Sequence, residues 1–201
     1  MSEFVTFVQL GFRHIADVGA LDHTLFLLAL AAIYRGRDWR DSLWVISAFT
    51  VGHSITLGLA ASGALGISTP LVEFLIPLTI VATGIENIRV RNWSRPALQG
   101  RYRPILAGVF GLVHGAGFAN YLQSFFTGSI LVPLFGFNVG IELGQLVVLA
   151  AAVLVLAGLD RILAAVRESG RPPSAYRLRV LGVSVAVILV AANMAAARSP
   201  W

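Results

Sequence analysis

Residues 133–158, PLFGFNVGIELGQLVVLAAAVLVLAG, form an unbroken apolar run with one charged side chain, Glu142. About 20 apolar residues suffice to cross a bilayer as a helix, so this stretch predicts a membrane span. Runs of the same kind occur at 20–34, 43–62, 70–88, 104–122 and 177–197. Six spans of about 20 residues occupy about 120 positions, leaving about 80 for connections. Composition agrees: 57% of the 201 residues are hydrophobic, 12% are charged and the mean hydropathy is +0.79. A soluble domain carries about a quarter charged residues. The expectation is an all-α membrane helix bundle with about six transmembrane helices in a single domain, 1–201.

Charge orients the bundle. The chain has 15 arginines and no lysine, and 13 of the arginines fall in the segments after the first, third and fifth runs. The segments after the second and fourth, 61–70 and 120–133, carry no charge. By the positive-inside rule the arginine-rich side is cytoplasmic and both termini are periplasmic, as expected of a multi-pass protein of a bacterial inner membrane. The opening Met-Ser-Glu-Phe lacks the basic region of a secretory signal. One helix from Phe4 to Tyr34 would be about 46 Å long, beyond a hydrocarbon core of about 30 Å. A break at Gly19 is therefore expected, with residues 4–18 forming a short interfacial or re-entrant helix on the outer side. No long linker, low-complexity tract or repeat is evident.

Ionisable groups inside a span cost several kcal/mol unless neutralised, paired or used. Here they are few: Asp22, His23, His53, Glu73, Glu86, His114 and Glu142, with His14 and Asp17 just before the break. The charge-derived topology places all four histidines, Asp22, Glu73 and Glu142 at mid-depth or in the outer half. Glu86 and Asn87 fall near the inner end. Asn138, Glu142 and Gln145 form a polar stripe at helical spacing, and Ser47, Thr50, His53 and Ser54 form another. Gly111 and Gly115 flank His114, while Gly136, Gly140 and Gly144 repeat every four residues. Both are faces that let helices approach closely, expected to bring His114 and Glu142 to one ion. With no cysteine and two methionines, a site of imidazole and carboxylate suits Ni²⁺, Co²⁺, Zn²⁺ or Mn²⁺ and disfavours copper(I).

The stretches GFRHIADVGALDHTLFLLAL (11–30), FTVGHSITL (49–57), IEN (85–87), FGLVHGAGFA (110–119) and FNVGIELGQL (137–146) resemble, in order, the HupE/UreJ family of small bacterial membrane proteins. Members are regarded as nickel or cobalt permeases associated with hydrogenase and urease. The resemblance implies divalent metal uptake and maps the family's polar signature onto His14, Asp22, His23, His53, Glu86, His114, Asn138 and Glu142.

Two functions compete for this cluster. In a permease, His14 and Asp17, or Asp22 and His23, capture the cation from the periplasmic side. His53, His114 and Glu142 receive it, Asn138, Gln145 and Ser54 support the path, and Glu86 with Asn87 forms the exit. In an intramembrane zinc hydrolase, the same histidines hold Zn²⁺, Asp22 or Glu142 serves as general base and Ser54 touches substrate. A sensor or assembly partner holding the ion without moving it is a third reading. The expected partners are the lipid bilayer and the metal ion, with a homo-oligomer or an unseen partner open and nucleic acid excluded. No nucleotide-binding loop is present, so no nucleotide cofactor is expected.

Overall fold

A computed structural model describes residues 2–17, 19–35, 38–66, 68–90, 102–123, 130–166 and 174–201. Seven helices make up these residues: α1 (Glu3–Ala16), α2 (Leu21–Ile33), α3 (Trp39–Ala61), α4 (Thr69–Ile88), α5 (Arg103–Gln123), α6 (Leu131–Val166) and α7 (Ala175–Ala197). The all-helical reading holds, with no strand among the described residues. Helices α3, α4, α6 and α7 are each long and apolar enough to cross a membrane, and α1 with α2 meet the same criterion together as a pair bent by 69°, the geometry of a broken span or a re-entrant loop. Among the described residues the expected count of six is not reached; the run expected at 104–122 falls on α5.

The break falls where the sequence places it. Asp17 ends α1 with its N–H on the Arg13 carbonyl, and its carboxylate accepts the Gly19 N–H at 2.8 Å. This Asx-type bond offers the chain a turn in place of further helix. Glycines draw α1 against α6. Gly11 lies against the Phe137 carbonyl and the Ile141 amide, Gly140 lies against the Val8 carbonyl and the Phe12 amide, and Gly136 meets Phe4. The order of contacts makes α1 and α6 parallel neighbours.

A second glycine seam joins α3 to α5. Gly52 faces the Gly108 carbonyl and the Leu112 amide, Gly111 faces the Phe49 carbonyl and the His53 amide, and Gly115 meets His53. A Cβ at Gly11, Gly52, Gly111 or Gly140 would overlap the opposite backbone, so these helices touch main chain to main chain. The two glycine faces read from the sequence do not meet each other: α6 uses its face on α1, and α5 uses its face on α3.

One end of the bundle is tied by arginines and asparagine. Asn87 donates to the Ala29 carbonyl at 2.7 Å, Tyr176 to the Ile33 carbonyl at 2.7 Å, and Arg179 to the Ala32 carbonyl at 3.1 Å. These donors serve carbonyls at the C-terminal end of α2, where cations are also favoured by the helix dipole. Arg103 bonds Asn87 Oδ1 at 3.0 Å and pairs with Glu86 at 2.9 Å, and Arg179 pairs with Asp160. The C-terminal ends of α2, α4 and α6 and the starts of α5 and α7 therefore share this arginine-rich end.

Candidate metal site

The break between α1 and α2 delivers two histidines to one place: His14 from the last turn of α1 and His23 from the first turn of α2. His53, in the middle of α3, completes a group in which one ring nitrogen from each histidine lies within 4.8 Å of the others. Ring centroids are 4.6 Å apart for His14–His23 and 6.1 Å for His14–His53. His114, from α5, joins the edge of the group with its ring 5.5 Å from His23. His23, His53 and His114 are buried, His53 completely.

Six buried ring nitrogens have no hydrogen-bond partner among the described residues: His14 Nε2, both of His23, both of His53, and Nδ1 of His114. Buried polar atoms are nearly always satisfied, so such a concentration marks a place built for something that accepts lone pairs. The other nitrogen of His114, Nε2, lies 3.0 Å from Thr79 Oγ1, whose own proton goes to the Ile76 carbonyl at 2.7 Å. Thr79 can therefore only accept from His114, which assigns the ring proton to Nε2 and leaves the Nδ1 lone pair free.

A cavity of about 270 Å³ reaches the group, lined by His14, His23, His114, Asp22, Glu73 and Phe118 with Arg198 at its rim. It opens away from the arginine-rich end. Asp22 is held there, both carboxylate oxygens lying 3.1 Å from Arg198 Nη1. Glu73 is exposed at the mouth.

The other expected site residues are placed as follows. Asp17 is exposed and engaged with Gly19. Glu142 is half-buried and stands outside both the histidine group and the cavity lining. Asn138 Oδ1 is buried without a partner, Ser54 bonds the Thr50 carbonyl at 2.6 Å, and Gln145 Oε1 lies 3.0 Å from Thr50 Oγ1, linking α6 to α3 one turn before His53. Glu86 and Asn87 sit at the arginine-rich end, bound to Arg103. Sequence reasoning noted Glu73 only as a costly charge, and it passed over Thr79, since a lone threonine in a span carries no distinguishing pattern.

A family model described as HupE / UreJ protein matches residues 1–197. The chain belongs to the HupE/UreJ family. Searches of curated proteins and of solved structures return no match. In this HupE/UreJ protein the matched region contains all four histidines, both glycine seams and the bent α1–α2 pair, whereas Arg198 at the cavity rim lies just beyond it.

Proposed function

We propose that the protein is a divalent transition-metal permease, with nickel or cobalt as its substrate, taken up from the periplasmic side. The observation that carries this reading is the group of histidines on α1, α2 and α3, buried at the break of a discontinuous helix and reached by a carboxylate-bearing cavity. Broken helices near mid-membrane are where transporters hold their substrates. The family is associated with nickel and cobalt transport, and an all-nitrogen-and-oxygen donor set suits those ions.

In this reading His14, His23 and His53 bind the ion and His114 adds its free Nδ1. Asp22 exchanges Arg198 for the incoming cation, and Glu73 draws cations to the mouth. Asn138, Glu142, Gln145 and Ser54 shape the wall behind the site. The arginine-rich end is cytoplasmic and the termini are periplasmic, in an inner membrane. Glu86 is not a free ligand in this conformation, since Arg103 neutralises it.

The hydrolase reading has three histidines in its favour, but its two candidate bases are poorly placed. Asp22 is engaged by Arg198, and Glu142 does not line the cavity. The test is nickel and cobalt binding by the purified protein, then uptake into proteoliposomes, for the natural chain and for His23→Ala, His53→Ala and Asn193→Ala. Reversible binding and uptake lost in both histidine variants and kept in Asn193→Ala are expected. Stoichiometric zinc that survives chelation, with no uptake of any ion, would overturn the permease in favour of the hydrolase.

A further inference from the structure

The two glycine seams have the same register. In the α3–α5 pair, Gly52 meets residues 108 and 112, three before and one after Gly111, and Gly111 meets 49 and 53, three before and one after Gly52. In the α1–α6 pair, Gly11 meets 137 and 141 around Gly140, and Gly140 meets 8 and 12 around Gly11. Aligning α5 with α1 on Gly111 and Gly11 puts His114 on His14. Aligning α3 with α6 on Gly52 and Gly140 puts Phe49 on Phe137 and reads FTVGHS (49–54) against FNVGIE (137–142). The pairs point in opposite directions, since α5 starts at the arginine-rich end and α6 finishes there. Two units of equal register and opposite direction are an inverted repeat, related by an axis across the helices.

The contacts between the aligned histidines and phenylalanines obey the same relation. His14 lies 5.7 Å from Phe137, as His114 lies 5.0 Å from Phe49. Phe118 stacks on Phe137 at 5.2 Å, and Phe26 stacks on Phe49 at 4.8 Å. His53 stands 6.3 Å from both Phe49 and Phe137, and His23 stands between His14 and His114 at 4.6 and 5.5 Å. One phenylalanine stack thus lies beside His14 and the other beside His114.

The cavities differ between the two sides. Phe118 is part of the wall of the cavity that touches His14, His23 and His114. Phe26 is part of the wall of a second cavity, about 550 Å³, which opens among Thr83, Glu86, Arg89, Tyr102 and Arg103 and touches none of the histidines. The histidine group therefore communicates with one cavity and is walled from the other by Phe26 and Phe49, both almost fully buried.

We propose that the Phe26–Phe49 stack is a gate of the ion path. It is the shut barrier between the histidine group and the cavity on the arginine-rich side. The assignment rests on the permease reading. An apolar constriction stops a hydrated cation because it will not hold water. Phe49 belongs to the α3–α5 pair, sealed by main-chain contact, and Phe26 to α2, so a shift of that pair against α2 unstacks the two rings. The second cavity is the release chamber: its two arginines against one glutamate disfavour rebinding of a divalent cation.

The chain has no cysteine, so a single introduced thiol reports accessibility. Ile76→Cys places one in the wall of the histidine cavity. In proteoliposomes, a membrane-impermeant maleimide added on the arginine-rich side should label Ile76→Cys poorly, and adding Phe26→Ala should raise that labelling at least about tenfold as the constriction wets. Leu30→Ala, which enlarges the same chamber without touching the stack, should not raise it. Phe26→Leu, which keeps the core filled and removes the ring, stands in if the alanine variant does not fold, with retained nickel binding as the check on folding. Unchanged labelling with Phe26→Ala, or an equal rise with Leu30→Ala, overturns the gate. Absence of uptake by the natural chain overturns the permease reading separately, because labelling reads the barrier whether or not an ion crosses.

Discussion

Thr79 has one hydroxyl proton and gives it to the Ile76 carbonyl, and that single constraint decides which nitrogen His114 can offer. Outer partners of this kind typically change metal affinity by about 10–100-fold when removed. Thr79→Val should weaken nickel or cobalt binding within that range, whereas Thr79→Ser should retain it, both measured by calorimetric titration. If the valine variant binds like the natural chain, His114 is not held by Thr79. Glu86 belongs to a different argument. It is the counter-ion of Arg103, which is 3% exposed. Removing one partner of a buried ion pair leaves the other charge uncompensated, at a cost of about 3–5 kcal/mol. Glu86→Gln should therefore lower the thermal unfolding midpoint in detergent while leaving metal binding at the histidines intact. A variant of unchanged stability would mean that Arg103 finds another partner. The costliness of an ionisable group in a membrane made His14, His23, His53 and His114 legible as residues of interest. It offered Glu86 a loop arginine, Arg89 or Arg91, but could not say that Arg103 holds Glu86 and Arg198 holds Asp22, because these lie 17 and 176 positions away in the chain.

Among the elements, the α1–α2 break and the glycine seams position the site. The break was legible from length alone, since an uninterrupted helix overshoots the bilayer. The seams were legible as faces, but not as partners. Gly111 meets the Phe49 carbonyl, while Gly182, on α7, has open space where a Cβ would stand. Gly111→Ala should drive α3 and α5 apart and displace His53 and His114 together, so folded yield and metal binding both fall. Gly182→Ala should leave both unchanged, by size-exclusion profile and titration. Equal tolerance at the two positions would remove the close packing from the account of the site.

At the scale of the whole molecule, the proposed topology turns the arginine-rich end to the cytoplasm. Ser62 and Ser174 are exposed near opposite ends, and the absence of cysteine makes each a clean reporter once replaced. Ser174→Cys should be labelled by an impermeant maleimide in inverted vesicles, and Ser62→Cys in right-side-out ones. The reverse pattern would invert the direction of uptake proposed here. Composition, hydropathy and the cost of buried charge were enough, from the sequence by itself, to determine an all-α membrane bundle, its break near Gly19, the histidines and the family. Which histidines stand together, and that the two glycine seams repeat in opposite directions, was decided only by the tertiary structure. The physical reason is that a helix's own pattern records the face it buries but not the helix it meets. Register between helices depends on close main-chain contacts across long separations, here Gly11 with Gly140 and Gly52 with Gly111. An inverted repeat further hides itself, because its two halves share spacing at a few glycines, phenylalanines and histidines rather than a continuous resemblance.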